Sequence, residues 1–152
     1  MALGEAELGI TIRIAGNSKR NSVLDMLSAH ESAGPVSRLI GRELSPMRRI
    51  ERMAGGHMQG VDSVLLKIDT QGNEDRVLRG AAGIMNRISA IQVELSLVPL
   101  YAGQLLFEEM RREMESPGYA PFAIFPGGVS RNTGQTAQWD GFLVRKSMAV
   151  GS

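Results

Sequence analysis

The run Val64 to Ile68, VLLKI, is mostly apolar and partly β-branched, shows no polar–apolar alternation, and stops at Asp69 before the segment TQGNEDRVLRG. A strand without alternation is one covered on both faces, as in a parallel sheet. Parallel neighbours cannot be joined by a tight turn and need a crossover, usually a helix. The sequence offers one: Glu74 to Leu78 opens with Glu74 and Asp75, acids that the helix macrodipole favours in a first turn. Ile88 to Leu95, ISAIQVEL, is a second strand. Gln104 to Glu115 places Leu105, Leu106, Met110 and Met114 at helical spacing before the stop at Pro117-Gly118. Tyr119 to Phe125 and Gln138 to Arg145 are strands rich in aromatic and branched residues, joined through the Gly/Pro/Asn-rich Pro126 to Gly134. The order strand, helix, strand, helix, strand, strand implies an α/β fold, mostly parallel, with one antiparallel strand at the edge contributed by the C-terminus.

Upstream, Leu8 to Ile14 (LGITIRI) alternates with period two and is a half-buried strand. Ser22 stands where it can cap a short helix, with Asp25 at the capping-box spacing and a stop before Gly34-Pro35. Ser45-Pro46 has the form of an N-cap and first helical position, with Ile50 and Met53 on one face and Gly55-Gly56 as the stop. A short strand over Met47 to Arg49 before a single helical turn is the competing reading.

The chain has 152 residues, enough for one domain spanning 1–152 and short for two. Its 17 Lys and Arg balance 16 Asp and Glu, so charge gives no case for nucleic acid or an anionic membrane as partner. The absence of cysteine excludes disulfides and thiolate metal sites and fits a reducing compartment, with a cytoplasmic location as the expectation. The acidic start MALGEAEL has no secretory-signal pattern, and no apolar run approaches a membrane span.

In open α/β sheets, ligands bind beyond the carboxyl ends of the strands. Asp69 ends the Val64 strand and Glu94 lies near the end of the next, so adjacent strands bring two carboxylates to one crevice. Such a pair can accept ligand hydrogen bonds, act as general base, or hold a divalent ion. Asp69 also suits a plain turn in which its carboxylate accepts the N–H of Gln71 or Gly72. Lys67 is read as a snorkelling stem or a partner for Glu94, and Gly72 as a tight turn or a point of close approach. His30 and His57 have no metal-ligand neighbours at helical spacing, so no metal site is expected. Met110 and Met114 read as core filler. Arg48, Arg49 and Arg52 read as a solvated basic face rather than a nucleic-acid site.

LLKIDTQGNEDRVLRGA, then AIQVELSLVPLYAGQLLFEEM, then WDGFLVRK resemble the FkbM family of S-adenosylmethionine-dependent methyltransferases, and IAGNSKRNSVLDML resembles the segment before that family's fourth strand. The resemblance implies a Rossmann-like, doubly wound sheet of order 3-2-1-4-5-7-6 with its last strand antiparallel. It implies O-methylation of a hydroxyl on a sugar or natural product, a small-molecule acceptor. By the same resemblance Asp69 and Glu94 are the catalytic acids ending strands four and five, and Asp69 also borders the cofactor. Gln71-Gly72 form the turn after strand four, and Asn17 and Ser22 lie on the substrate side.

The family's glycine-containing cofactor loop and the acid that binds the ribose have no counterpart in this sequence, so the chain reads as the C-terminal part of a family member. Strand four would then be a sheet edge needing cover. The strand Leu8 to Ile14 could pair there, or a second copy could form a homodimer through that edge. Two functional expectations follow: a methyltransferase holding part of its cofactor site, or a non-catalytic interaction module that uses the exposed edge.

Overall fold

The computed structural model describes residues 1–16, 21–27, 39–129 and 133–149. These build a mixed α/β fold of two sheets. The first has the order β1-β3-β2, with β1 at Ala2–Leu3, β2 at Leu8–Ala15 and β3 at Leu39–Arg48. β2 and β3 run antiparallel from Leu8 opposite Met47 to Ile14 opposite Gly41, and β1 lies parallel to β3 with Ala2 opposite Met47.

β3 corrects the reading of Ser45-Pro46 as a helix start and is far longer than the competing Met47 to Arg49 strand. A proline removes one ladder donor. β1 reaches only Met47 and Arg48, so at Pro46 the side facing away from β2 has no strand to bond. The helix comes later, as α1 over Ile50–Ala54, followed by a 3₁₀ turn over Gly55–Met58. The helix expected from Ser22 is also absent from its described part, residues 22–27, where bends and isolated bridges occur instead. Its remainder, with His30, lies outside the described residues.

The second sheet has the order β4-β5-β7-β6, with β4 at Leu65–Ile68, β5 at Ala90–Ser96, β6 at Tyr119–Pro126 and β7 at Gln138–Arg145. β4 and β5 are parallel, and β7 runs against both β5 and β6. The antiparallel strand is therefore internal, not at the edge where the element order alone put it, and β6 takes the edge, as the order 5-7-6 implied by the resemblance has it. A long loop lets the chain pass β6 outward before β7 returns between its neighbours. α2, Glu74–Gly80, makes the crossover from β4 to β5, and α3, Phe107–Glu115, follows β5.

Alternation decides which side of this sheet is covered. Ile91, Val93 and Leu95 of β5 and Leu66 and Ile68 of β4 are buried, packed with Val77 and Leu78 of α2 and Met110 and Met114 of α3. Both methionines are thus core residues, at 2% and 1% exposure. Tyr119 is fully buried, its hydroxyl donating to the carbonyl of Ile88 at 2.7 Å with that of Met85 3.0 Å away. The opposite face carries Leu65 and Lys67, both exposed, and the half-buried Ala90, Gln92 and Glu94.

The two sheets meet at α2. The carbonyl of Gly4 lies so close to Gly80 that a Cβ there would stand 2.1 Å from it. Asn73 Nδ2 donates to Leu3 O at 3.0 Å, and Arg79 Nε to Glu5 Oε2 at 2.7 Å. The pairing of Leu8 to Ile14 with strand β4 does not occur: β2 pairs with β3 in the other sheet. Among the described residues no strand pairs with the outer edge of β4.

Candidate functional site at the ends of β4 and β5

β4 ends at Ile68, and the chain turns through Asp69, Thr70, Gln71 and Gly72 into α2. Gln71 and Gly72 both have positive φ, 56° and 94°. Glycine is needed at 72 twice over: for that φ, and because a Cβ would meet the Tyr101 ring at 2.9 Å. Gln71 accepts the left-handed conformation that a non-glycine residue rarely adopts, and such outliers persist only where surrounding contacts hold them. Here Ser22 Oγ donates to its carbonyl at 2.7 Å and Tyr101 Oη to its Oε1 at 2.8 Å.

Glu74 closes the turn from below. Its Oε1 accepts the N–H of Thr70 at 3.2 Å, the hydroxyl of Thr70 at 3.3 Å and the N–H of Gly72 at 3.0 Å. Burial pushes this carboxyl above the usual range, against the pull of those donors. The turn-capping role open to Asp69 thus belongs to Glu74. Asp69 keeps a half-exposed carboxylate, with Lys67 Nζ 3.9 Å from Oδ2 and Gln71 Nε2 3.4 Å from Oδ1. Lys67 therefore faces Asp69, not Glu94.

Among the described residues, the hydrogen-bond partners of Glu94 are amides. Gln138 Nε2, at the start of β7, donates to its Oε2 at 2.5 Å, and Gln71 Nε2 lies 3.4 Å from the same oxygen. Its pKa is pushed up to about 7, first by burial, then by the negative charges of Asp69, Glu74 and Asp140, while the Gln138 hydrogen bond opposes the shift. A carboxyl with that value exchanges its proton near neutral pH, the condition for general acid–base work.

The structure brings together four of the sequence-derived candidates, Asp69, Glu94, Gln71 and Gly72. Ser22 joins them with its hydroxyl engaged, donating to Gln71 and accepting from the N–H of Leu24 at 3.0 Å. Asn17 lies outside the described residues. Tyr101, Gln104 and Gln138 escaped sequence reasoning. Gln104 receives the N–H groups of Leu100 and Tyr101 on Oε1 and donates to Ser96 Oγ at 2.7 Å, tying the Tyr101 loop to the end of β5. No local pattern marks Gln138, whose role depends on β7 lying beside β5. Tyr101 carried a weak signal, a lone aromatic between Pro99 and Gly103 in the turn after a strand.

Elsewhere, a shallow apolar hollow between α3 and the β6–β7 hairpin is lined by Phe107, Met114, Ile124 and Phe142 among others, and touches none of these carboxylates. The Arg48, Arg49 and Arg52 cluster is matched by Glu7 and Glu51. His57 is exposed. Among the described residues no helix is long and apolar enough to cross a membrane.

The Methyltransferase FkbM domain matches residues 1–121, about four fifths of the chain, reaching into β6. The chain belongs to the FkbM methyltransferase domain family. Among curated proteins, the tRNA modification GTPase MnmE of Halorhodospira halophila (strain DSM 244 / SL1) is 27% identical over 135 residues, covering 88% of this chain and 28% of that protein. No solved structure matches. Among the described residues of this FkbM domain, strand ends, perturbed carboxyls and a strained turn converge at the loop 69–74 and the end of β5.

Proposed function

We propose that this FkbM domain belongs to a Rossmann-like, S-adenosylmethionine-dependent O-methyltransferase, with Asp69 and Glu94 facing the hydroxyl of a small-molecule acceptor. The observation that carries the reading is Glu94, a carboxyl with its pKa near 7 at a strand end, 3.4 Å from the Gln71 amide that also touches Asp69. The order β4-β5-β7-β6, with β7 reversed, supports it, since the family resemblance implies 4-5-7-6 for that half of the sheet. S-adenosylmethionine, when bound, supplies a methyl group electrophilic at carbon. Its sulfonium is cationic, and the acidic wall formed by Asp69 and Glu94 fits such a charge. In this reading Asp69 orients the acceptor hydroxyl, and Glu94 takes its proton on a carboxylate oxygen as the hydroxyl becomes a nucleophile. Holding the acceptor in place is worth roughly 7–11 kcal/mol in well-oriented systems.

Calorimetric titration of this chain with S-adenosylmethionine tests the claim. Saturable binding that weakens in Asp69→Asn is the expected result; no heat at millimolar ligand removes the enzymatic reading for this chain and leaves its family standing.

A second reading has its own observation: the outer edge of β4 is unpaired among the described residues, and Leu65 beside it is 56% exposed. An open edge recruits strands. In this reading the chain is a non-catalytic interaction module, pairing with a second copy through β4. Sedimentation of wild type against Leu66→Pro discriminates: a dimer lost in the variant supports it, and a monomeric wild type at high concentration refutes it.

A further inference from the structure

We propose that Tyr101 and Gln71 are positioning residues for Glu94, the Tyr101 hydroxyl fixing the Gln71 amide so that its nitrogen is presented to Asp69 and Glu94 together. The inference rests on the reading of Glu94 as the group that meets the acceptor hydroxyl. Carboxylate oxygens accept hydrogen bonds, and the amide group that faces Asp69 Oδ1 and Glu94 Oε2 is Nε2, at 3.4 Å from each. That leaves Oε1 needing a donor, and Tyr101 Oη supplies it at 2.8 Å.

The rest of the turn serves the same end. Ser22 holds the Gln71 carbonyl, Gly72 lets the Tyr101 ring lie against the backbone, and Gln104 anchors the backbone of Tyr101 to Ser96. A left-handed glutamine, a missing Cβ and a buried tyrosine are together more than a bare turn requires. Their joint product is one N–H₂ group between two carboxylates of neighbouring strands. The charges around Glu94 are Asp69 from the β4 end, Glu74 from α2 and Asp140 from β7, all negative, with Lys67 set on Asp69. Among the described residues no cation pairs with Glu94, and the donors that face its Oε2 are the amides of Gln138 at 2.5 Å and Gln71 at 3.4 Å.

The test is a carbon-13 titration of the Glu94 carboxyl in the full chain, for wild type, Tyr101→Phe and Gln71→Asn. Asparagine tolerates the left-handed backbone and is too short to bridge both acids. Phenylalanine keeps the ring on Gly72. The expected result is a Glu94 midpoint raised by about one unit in Gln71→Asn and by less in Tyr101→Phe, together with broadening of the Gln71 side-chain amide signal in Tyr101→Phe. A purely structural role would lower the melting temperature and leave the midpoint in place. A midpoint unchanged within error in either folded variant overturns the proposal. The titration needs no cofactor, so failure of S-adenosylmethionine to bind would count against the function alone. Methyl transfer with an unmoved midpoint would count against the positioning alone.

Discussion

The two sheets of this domain are held by different forces. In the four-stranded sheet one face is packed against α2 and α3, and Ile91 and Val93 have no exposed surface. In the three-stranded sheet only Ala15, Ser45 and Met47 of the two long strands are buried, and Leu44 is 82% exposed. The first is stabilised by apolar burial, the second mainly by an eight-pair backbone ladder and by its seam with α2. A sheet can therefore be well formed while leaving little hydrophobic signature.

The sharpest way to break this contrast is a pair of truncations. Ile91→Ala should lose about 3–4 kcal/mol, the range for a fully buried residue, whereas Ile12→Ala on β2 should lose about 1 kcal/mol or less. Urea unfolding of both variants checks it, and equal losses would remove the distinction. Next in size is the seam itself. A methyl group at Gly80 meets the backbone of Gly4, which cannot yield as a side chain can, so Gly80→Ala should cost about 2–3 kcal/mol. Amide exchange should then quicken across β1 to β3 and stay slow in β5.

The site adds a pH-dependent term to the four-stranded sheet alone. Glu94 has a folded-state pKa raised from 4.5 to about 7, so its neutral form is favoured on folding. That contribution is complete below the unfolded value and is lost as pH climbs through 7. Glu94→Gln should therefore flatten the fall in stability between pH 5 and 8, by about 2 kcal/mol once partial solvent screening is allowed for. Thermal melts at the two pH values decide it, and parallel curves for wild type and variant would contradict the assignment. Smallest is Gly9→Ala on β2, where a Cβ meets nothing within 4 Å. It should change stability by a few tenths of a kcal/mol, in contrast to Gly72→Ala, which strains both φ and the Tyr101 contact and should cost about 2 kcal/mol or more.

The same contrast explains what could be read from the chain unaided. Val64 to Ile68, Ile88 to Leu95 and Gln138 to Arg145 were legible as strands because a covered face forces apolar residues into place, although β4 is covered on one face only, with Leu65 and Lys67 exposed, and not on both as its missing alternation implied. Leu39–Arg48 was not, because Arg42, Glu43 and Pro46 on an open strand imitate a polar loop and a helix start. At the site, Asp69 and Glu94 could be found from strand ends. Glu74 was seen as a first-turn acid but not as the carboxylate closing the turn, since that depends on Thr70 and Gly72 aiming their N–H groups backward. Gln138 required knowing that β7 returns beside β5.

The contacts that tie β1 and the Ser22 segment to the loop at 69–74 and to α2 join residues far apart in the chain: 49 positions from Ser22 to Gln71, 70 from Leu3 to Asn73 and 74 from Glu5 to Arg79. During synthesis β2 and β3 leave the ribosome well before α2 exists. Their seam residues must wait in water while a further stretch of chain is made, and contacts of such separation are slow to form. The β4–α2–β5 unit needs only its own neighbours, so the carboxylate turn gains its final shape when Leu3 and Ser22, made earlier, come back to it.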